Sequence, residues 1–433
     1  MSDSVPRGGP GGGRARRRVT VHRERMTGRD PAEPGRTATP LELLFDLTFV
    51  VAVGTAASQV AEMLAEGHLG DAVTAFAPAM FAIVLAWINY SWFASAFSTD
   101  DWLDRALTMV QMTGVVVLAL GLPVLFHSVE EGAHLDLRPI VAGYVVMRLA
   151  MLLQWWRAAR EAPRYRRVAL TDMRWTALVQ VGWVALALTR PSLAVALAAF
   201  AVLAALELLV PVFAQGGAGG TPWHPHHVAE RYGLFAIITL GEGVVGTVAS
   251  SGELLGGADG THWTGDAVAV VIAGVGLTFG MWWVYFTVPF GEILAHRRGR
   301  GYLFGYGHIP LYAAVAGTGA GLHVAGLSLD HHAKTGETAV VLLLALPTGV
   351  YLLTIHVLRA LLLSSWDRFH LLLTLLTLGV LAAAVLLSAL GAGVATCLLV
   401  VMAASFVPVL GHETTGRRHR GGRLHRIDAD RTP

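Results

Sequence analysis

Charged side chains inside long apolar runs are the residues of this sequence best suited to chemistry. A charge in the hydrocarbon core of a bilayer costs roughly 2.5–3.5 kcal/mol on insertion scales, so each one needs a function or a partner. Such residues lie within, or at the ends of, the apolar runs at Glu42, Asp46, Arg148, Glu207, Glu230 and Glu242. We interpret them as parts of a polar site buried between helices.

Glu42 and Asp46 are four residues apart, so both lie on one face of a helix. Glu42 fits the start of that helix, where the helix dipole favours a negative charge. Asp46 is flanked by Phe45 and Leu47 and lies about 6–8 Å inside the predicted cytoplasmic edge. We therefore interpret Asp46 as a functional intramembrane carboxylate.

Glu242 lies roughly 18 Å along its predicted helix, near the midplane. Gly241 and Gly243 flank it, and glycines there allow either close helix contact or a local break in the helix. Arg148 has a similar predicted depth and the opposite charge. We expect an ion pair between Arg148 and Glu242, with a pair between Arg148 and Glu207 as the alternative.

Uncharged polar residues and one histidine share the predicted cytoplasmic half with Asp46: Asn89, Gln111, Gln154, Gln180 and His308. Each of them alone is expected to bond a neighbouring helix. Together they could line a hydrated cavity, in which His308 and Asp46 would form a group that changes charge near neutral pH.

Asp100 and Asp101, followed by Asp104, form an acidic loop. One interpretation is a solvated loop in which Asp101 caps the next helix. The alternative is a mouth that attracts cations, or a gate that contacts Arg residues.

The composition requires these residues to be positioned by membrane helices. The chain has 433 residues, of which 54% are hydrophobic and 14% are charged, and its mean hydropathy is +0.55. A soluble domain usually carries roughly 25% charged residues. We predict an all-α polytopic integral membrane protein, because about 20 apolar residues form one spanning helix. About twelve helices are predicted, over 41–60, 72–97, 103–126, 139–157, 173–189, 191–213, 230–250, 267–290, 303–327, 338–361, 368–389 and 392–410.

Basic residues indicate the orientation of these helices. Of the 32 basic residues, three lie in predicted outer loops (Arg138, Arg190 and Lys334), Arg148 lies inside a helix, and the other 28 lie on the predicted inner side. Positive charge concentrates on the cytoplasmic side of membrane proteins, so both termini are predicted to be cytoplasmic. Residues 1–38 and 411–433 are predicted to be basic cytoplasmic tails, the first of them disordered, that anchor on anionic lipid rather than nucleic acid.

A weak internal similarity favours two six-helix halves, at 39–213 and 230–410, joined by a cytoplasmic linker at 214–229. Glu42 and Glu230 begin the first and seventh helices, and Trp87 and Trp283 lie in matching aromatic segments of the second and eighth. An even number of helices in each half would make the two repeats parallel.

Several kinds of chemistry find no support in the residues. Cys397 is the single cysteine and Lys334 the single lysine, which excludes an intrachain disulfide and a retinal-type Schiff base within the helices. The clusters at 224–227 and 330–332 are rich in His but have no carboxylate-bearing metal motif. No nucleophile elbow, P-loop or glycosidase-type carboxylate pair is present. We predict no metal, no cofactor and no enzymatic activity.

Three ordered blocks resemble the bacterial low temperature requirement A family. Residues 39–50, TPLELLFDLTFV, are similar to its opening ELFFDLVFV signature. Residues 98–101 with Arg105, followed by 110–112, resemble its second block, and 230–242, which begins with Glu230-Arg231, resembles its ERFGLF…LGE block. The sequence departs from the family pattern at Gly243, where a Ser is common, so a hydroxyl role there is in doubt.

This resemblance implies a multi-pass protein of a bacterial inner membrane but no substrate, because the family name records a growth phenotype. We expect a secondary transporter or permease for a small solute or ion, proton-coupled through Asp46 and Glu242. The alternatives are a cation channel, since Phe45-Asp46 is also similar to a motif of lysosomal-type potassium channels, and a membrane-embedded enzyme or sensor. A homo-oligomer is an option that the sequence leaves open.

Overall fold

The structure, a computed structural model, describes residues 23–132, 134–216, 220–255, 263–330 and 332–416. In these ranges the protein is all-α, and the only β-type pairing is an isolated bridge between His134 and Ser192. The predicted fold class of a polytopic helical protein is thus confirmed. Of the two predicted basic tails, 1–22 and 417–433 lie outside the described residues, and so does His331 of the second histidine cluster.

Twelve long helices and one short helix make up the described chain. They are α1 (Pro40–Ala65), α2 (Leu69–Phe97), α3 (Trp102–Glu130), α4 (Arg138–Glu161), α5 (Arg166–Thr189), α6 (Leu193–Gly216), α7 (Pro225–Leu255), α8 (Gly265–Phe286), the short α9 (Phe290–His296), α10 (Gly301–Leu329), α11 (Glu337–Leu363), α12 (Arg368–Ala389) and α13 (Val394–Gly411). Each long helix overlaps one predicted span.

Side-chain caps explain where several of these helices begin. Thr39 and Glu42 form a capping box at the start of α1, and Pro40 occupies a position where its missing N–H costs nothing. Asp101 caps α3 by accepting a hydrogen bond from the Asp104 N–H, as predicted for the acidic loop.

Ten helices among the described residues are long and apolar enough to cross a membrane by length and composition. Their outward faces carry exposed leucines and valines, such as Leu44, Leu47 and Val51 on α1, which a bilayer would cover. Helices α5 and α10 are not among the ten, so the number of twelve spans stays a prediction.

The residues of α5 and α10 explain why these two helices are less apolar. Helix α5 begins with Arg166 and Arg167 and includes Asp172 and Arg174. Helix α10 is rich in Gly and Tyr, and it packs against α1, α2, α7 and α11. Its neighbours in the bundle are therefore mostly protein rather than lipid, which removes the need for a continuously apolar surface.

Residues 23–38 form a packed segment rather than the disordered tail that the sequence predicted. Met26 is fully buried, the Arg29 N–H donates to the Ala96 carbonyl at 2.8 Å, and Arg36 donates to the Ala94 carbonyl at 3.0 Å. The Ala96 carbonyl in the last turn of α2 thereby gains a donor from outside the helix, and the Ala94 carbonyl, which already accepts the Ser98 N–H, gains a second donor.

The same neighbour relations recur in the two predicted halves. Helices α1, α2, α3, α4, α5 and α6 correspond in order to α7, α8, α10, α11, α12 and α13. The pairs α1–α2, α1–α3, α3–α4, α4–α5 and α5–α6 all pack, as do their counterparts α7–α8, α7–α10, α10–α11, α11–α12 and α12–α13. Three relations differ. Helix α13 packs closely on α8 and also on α11, whereas α6 has no comparable contact with α2 or α4. Conversely, α2 packs on α3, whereas α8 has no comparable contact with α10.

Candidate functional site

A buried ion cluster joins the first helix of each half. Arg231 of α7 forms an ion pair with Asp46, and its Nη1 lies 3.7 Å from Oε1 of Glu42. Arg231 and Asp46 are fully buried and Glu42 is 1% exposed. The one-face spacing of Glu42 and Asp46 on α1 is what allows both carboxylates to face the same guanidinium.

Aromatic and histidine side chains complete this cluster. Trp87 of α2 donates from Nε1 to Oδ1 of Asp46 at 2.7 Å, and the rings of Trp87 and Tyr90 lie 5.7 and 5.5 Å from the guanidinium carbon of Arg231. His227, one turn before Arg231, has Nε2 3.3 Å from Oε2 of Glu42. That same Oε2 accepts the Thr39 N–H in the capping box.

The cluster is charged but incompletely hydrogen-bonded. Among the described residues, Oε1 of Glu42, Oδ2 of Asp46, Nε and Nη1 of Arg231 and Nδ1 of His227 are buried without a hydrogen-bond partner. Buried polar atoms in a purely structural ion pair are normally satisfied. With Glu42, Asp46 and Arg231 ionised and His227 neutral, these four side chains carry one net negative charge.

The expected pair between Arg148 and Glu242 does not form, and this prediction is wrong. Arg148 is ion-paired with Glu207 of α6, which also accepts from Nε1 of Trp183 at 3.2 Å. Arg148 and Glu242 lie at similar depths along their helices. Helices α4 and α7 are not close neighbours, however, and α2 packs against both of them. The alternative pair with Glu207 is the one observed.

Glu242 has neither a hydrogen bond nor an ion pair within the described ranges, and it is partly buried. A Cβ placed on Gly54 of α1 would lie 2.9 Å from its Oε1, and one on Gly319 of α10 would lie 2.8 Å from its carbonyl oxygen. Its carboxylate therefore lies at the junction of α1, α7 and α10. Helix α7 is continuous there, so the flanking glycines do not break it. Gly243 permits close contact with the Thr278 side chain of α8, whereas a Cβ on Gly241 would meet no atom within 4 Å.

The acidic loop forms ion pairs instead of an open mouth. Asp100 binds Arg105 at 2.9 Å, and Asp101 binds Nη1 of Arg157 at 3.0 Å. Burial would raise the pKa of Asp101, but the hydrogen bond from Arg157 and those from backbone N–H groups outweigh it and lower the pKa. The loop therefore has both the predicted cap at Asp101 and contacts with Arg residues, and its role as a gate stays a prediction.

Other predicted site residues lie apart from the cluster. Gln111 donates to Gln154 at 2.7 Å, and Gln154 donates to Asp104 at 3.1 Å. His308 has Nε2 3.0 Å from the Tyr285 hydroxyl and Nδ1 2.7 Å from the Phe304 carbonyl.

No direct contact joins His308 to Asp46 among the described residues, so these two do not form the predicted charge-changing group. Glu230 is hydrogen-bonded to the backbone of Ala38 rather than to Arg231. His224, of the first histidine cluster, has Nε2 3.0 Å from the Glu33 carbonyl, and its Nδ1 accepts the His227 N–H.

A partly open cavity lies beside the cluster, between α2, α4, α5, α6 and the start of α10, and its empty space of about 650 Å³ includes the part that is open to the outside. Its polar lining includes Asn89, Arg148, Asp172 and Glu207. One wall residue, Trp92, donates from Nε1 to the Tyr232 hydroxyl at 2.8 Å, next in sequence to Arg231. Tyr232 also packs on Trp87 of the cluster, with ring centroids 4.7 Å apart, so aromatic side chains lie between the cavity and the ion cluster.

Sequence reasoning missed Asp172 because the predicted fifth helix began one residue after it. Asp172 lies two residues before the charged Arg174, so it was placed in the predicted cytoplasmic loop. His227 was considered only as part of a histidine cluster. Its spacing of four residues from Arg231 was the available signal for one helical face.

Comparison with known proteins agrees with the resemblance noted in the sequence. Residues 37–405 match the family described as bacterial low temperature requirement A protein. An uncharacterized protein of Rhizobium meliloti (strain 1021) is 26% identical over 294 residues, which are 65% of this chain and 67% of that protein. No solved structure matches the chain. Since the family match spans most of the sequence and includes every residue of the ion cluster, this chain belongs to the bacterial low temperature requirement A family.

Proposed function

We propose that this protein is a proton-coupled secondary transporter that binds a small polar solute in the cavity between α2, α4, α5, α6 and α10. The observation that carries the proposal is this cavity, which is lined by charged residues inside a bundle of membrane helices. Spaces between the helices of a bundle that hold a few convergent polar groups are common ligand sites. Intramembrane ionisable residues that face such a space commonly mark substrate or ion pathways.

Glu242 is the residue that we propose to carry the coupled proton. Burying an isolated charge costs so much that such a group is usually neutralised, and Glu242 has no counter-charge among the described residues. Its position between α1, α7 and α10 would let protonation alter the packing of the two halves. Asp46, which sequence reasoning also proposed, is paired with Arg231 and would act by holding α1 to α7.

The packing of α1 argues for a transporter over a channel. Phe49, Ala52, Val53 and Ala56, which follow Asp46 along this helix, are fully buried against neighbouring side chains. A channel formed along α1 would instead expose a row of apolar residues to a continuous pore. The polar cavity described above lies beside α2 and α4 and not along α1.

The test is flux into proteoliposomes that contain a pH-sensitive dye. Amines, amino acids, sugars and carboxylates are added outside one at a time, and the internal pH is followed. We expect the wild type to move protons with at least one solute class, and Glu242→Gln to reduce this proton movement at least tenfold. Asp266→Asn, at an exposed carboxylate at the start of α8, is the matched control and should behave as the wild type. If no solute moves protons, or if Glu242→Gln leaves proton movement unchanged, the coupling proposal fails.

A further inference from the structure

The charges around the cavity do not cancel. Arg148 and Glu207 form an ion pair and neutralise each other. Asp172 is 7% exposed, and within the described residues its side chain has one hydrogen-bond partner, the Thr176 hydroxyl at 3.5 Å, and no ion pair. The cavity therefore contains one uncompensated carboxylate, and burying such a charge alone is costly.

Aromatic rings form much of the remaining wall. Trp92, Trp155, Tyr302 and Tyr306 all line the cavity, together with Phe93. The rings of Trp92 and Tyr302 are nearly parallel, with an interplanar angle of 15° and centroids 6.4 Å apart, and those of Tyr302 and Tyr306 are 5.9 Å apart at 28°. Ring faces attract cations, best of all those of Trp, and the attraction grows where water is excluded.

The tyrosine hydroxyl groups are already used in holding the wall together. Tyr302 donates to the Pro211 carbonyl at 2.8 Å and Tyr306 donates to the Leu208 carbonyl at 2.9 Å. These bonds fix the two rings against α6 and engage the hydrogen atoms of both hydroxyl groups, so the wall offers no free hydroxyl donor from either tyrosine.

The lining of the cavity favours an organic cation over a metal ion. A bare alkali or alkaline-earth ion is bound by a shell of several oxygen atoms, whereas aromatic rings form much of this wall, and Asp172 is its one carboxylate without an ion pair among the described residues. Carboxylate and aromatic surface together are the features that recognise an alkylated ammonium group.

We propose that the cavity binds an organic cation with one ammonium group, with Asp172 as its counter-ion and Trp92, Trp155, Tyr302 and Tyr306 as its aromatic wall. This inference rests on the proposed function, because it names the solute class that the transporter would carry. The ammonium group could belong to a free solute or to the headgroup of an aminophospholipid.

The binding of three probes that share a benzene ring tests this assignment, with the full chain in detergent. Benzyltrimethylammonium, benzyl alcohol and benzoate share a ring and differ in charge, and binding is followed by calorimetry and by quenching of tryptophan fluorescence. We expect benzyltrimethylammonium to bind at least tenfold more tightly than either other probe. Asp172→Asn should weaken its binding at least tenfold, and Asp266→Asn should leave it unchanged.

Additional variants and lipids separate the explanations. Trp92→Leu should weaken cation binding severalfold without strengthening benzoate binding, while circular dichroism verifies that each variant is folded. Displacement of the probe by phosphatidylethanolamine, but not by phosphatidylglycerol, would show that the ammonium group belongs to a lipid headgroup. The inference that the cavity binds an organic cation would then stand. Equal binding of all three probes, or a folded Asp172→Asn that binds the cation as the wild type does, would overturn the inference. Cation binding without proton-coupled flux would uphold the inference and contradict the transporter proposal.

Discussion

Arg231 is the only cation in direct contact with two carboxylates in the described ion cluster, Glu42 and Asp46. All three side chains are at most 1% exposed. Removing one partner of a buried pair leaves an uncompensated charge, which costs about 3–5 kcal/mol. The stability of the α1–α7 contact should therefore depend strongly on this residue.

Arg231→Met is expected to lower the free energy of unfolding by about 3–5 kcal/mol, measured by denaturant unfolding in detergent micelles. When Asp46→Asn is combined with Arg231→Met, the loss of stability in the double variant should differ from the sum of the two single losses by about 0.5–3 kcal/mol, because the two groups share one interaction. Arg105→Met is the control, since Arg105 and Asp100 are exposed and a surface pair contributes little. Simple additivity of the two buried substitutions would show that Asp46 and Arg231 are not coupled.

Asp101 connects the pH dependence of stability to the loop between α2 and α3. Its pKa is lowered from the ordinary value of 3.8, so the charged form is favoured in the folded protein. This contribution to stability is fully present above pH 3.8 and is lost as the pH falls through the lowered pKa.

Comparison of the wild type with Asp101→Asn isolates this contribution, because Asn also caps helices well. The wild type should unfold at a higher temperature than Asp101→Asn above pH 3.8, and the difference should shrink as the pH falls below that value. Thermal unfolding in detergent between pH 2 and pH 7 measures it. A difference that stays constant down to pH 2 would exclude Asp101 as its source.

The sequence identified the charged residues of the site but not their pairing. Spacing placed Glu42 and Asp46 on one face, and the structure shows both facing Arg231. Arg148 was paired wrongly because depth along a helix says nothing about which helices are neighbours, and that depends on packing across the whole bundle. The cavity could not be predicted for the same reason, since its wall comes from five helices.

At the scale of elements, glycines allow α7 and α10 to approach closely. A Cβ on Gly246 would lie 2.4 Å from the Gly319 carbonyl oxygen, and one on Gly326 would lie 2.2 Å from Cα of Ser250. Small residues at such interfaces let membrane helices gain packing contacts that larger residues would prevent.

Gly326→Ala should therefore destabilise the protein by about 1–3 kcal/mol, the usual cost of overpacking, because the contact is with backbone that cannot move aside. Gly379→Ala in α12 is the matched control, since a Cβ there meets no atom within 4 Å. That substitution should be neutral, or stabilising by up to about 1 kcal/mol, through improved helix propensity. Equal effects of both variants on denaturant unfolding would contradict close packing of α7 and α10.

Helix positions were the most predictable feature, because an apolar run of about 20 residues is a direct signal. The end of α8 was predicted less accurately. The predicted span continued to residue 290, whereas α8 ends at Phe286 and α9 begins at Phe290. Pro289, immediately before α9, lacks an N–H and cannot continue a helical ladder.

At the scale of the whole molecule, the recurrence of neighbour pairs agrees with a plan of two six-helix halves. The weak sequence similarity alone left that plan open, and the duplication stays a prediction. The boundary of the first half at residue 39 omits a segment that the structure includes, because 23–38 contacts α2 through Arg29 and Arg36. Composition could not reveal this, since a segment without apolar runs is read as a tail.

A difference in packing gives the corresponding helices α13 and α6 unequal mechanical character. Gly280 of α8 is so close to α13 that an added Cβ would lie 2.0 Å from Oγ of Ser405, whereas α2 presents Trp92 and Phe93 to the cavity and α6 packs substantially only on α5. Moving α13 would require many packed atoms to separate at once. Beyond α5, helix α6 contacts the bundle through the ring of Phe200 on Phe81 of α2 and through a few polar links, those of Glu207 with Arg148 and of two carbonyls with Tyr302 and Tyr306. We therefore expect α13 to be held rigidly and α6 to be the corresponding helix that moves more easily, because fewer contacts must break when it separates from the bundle.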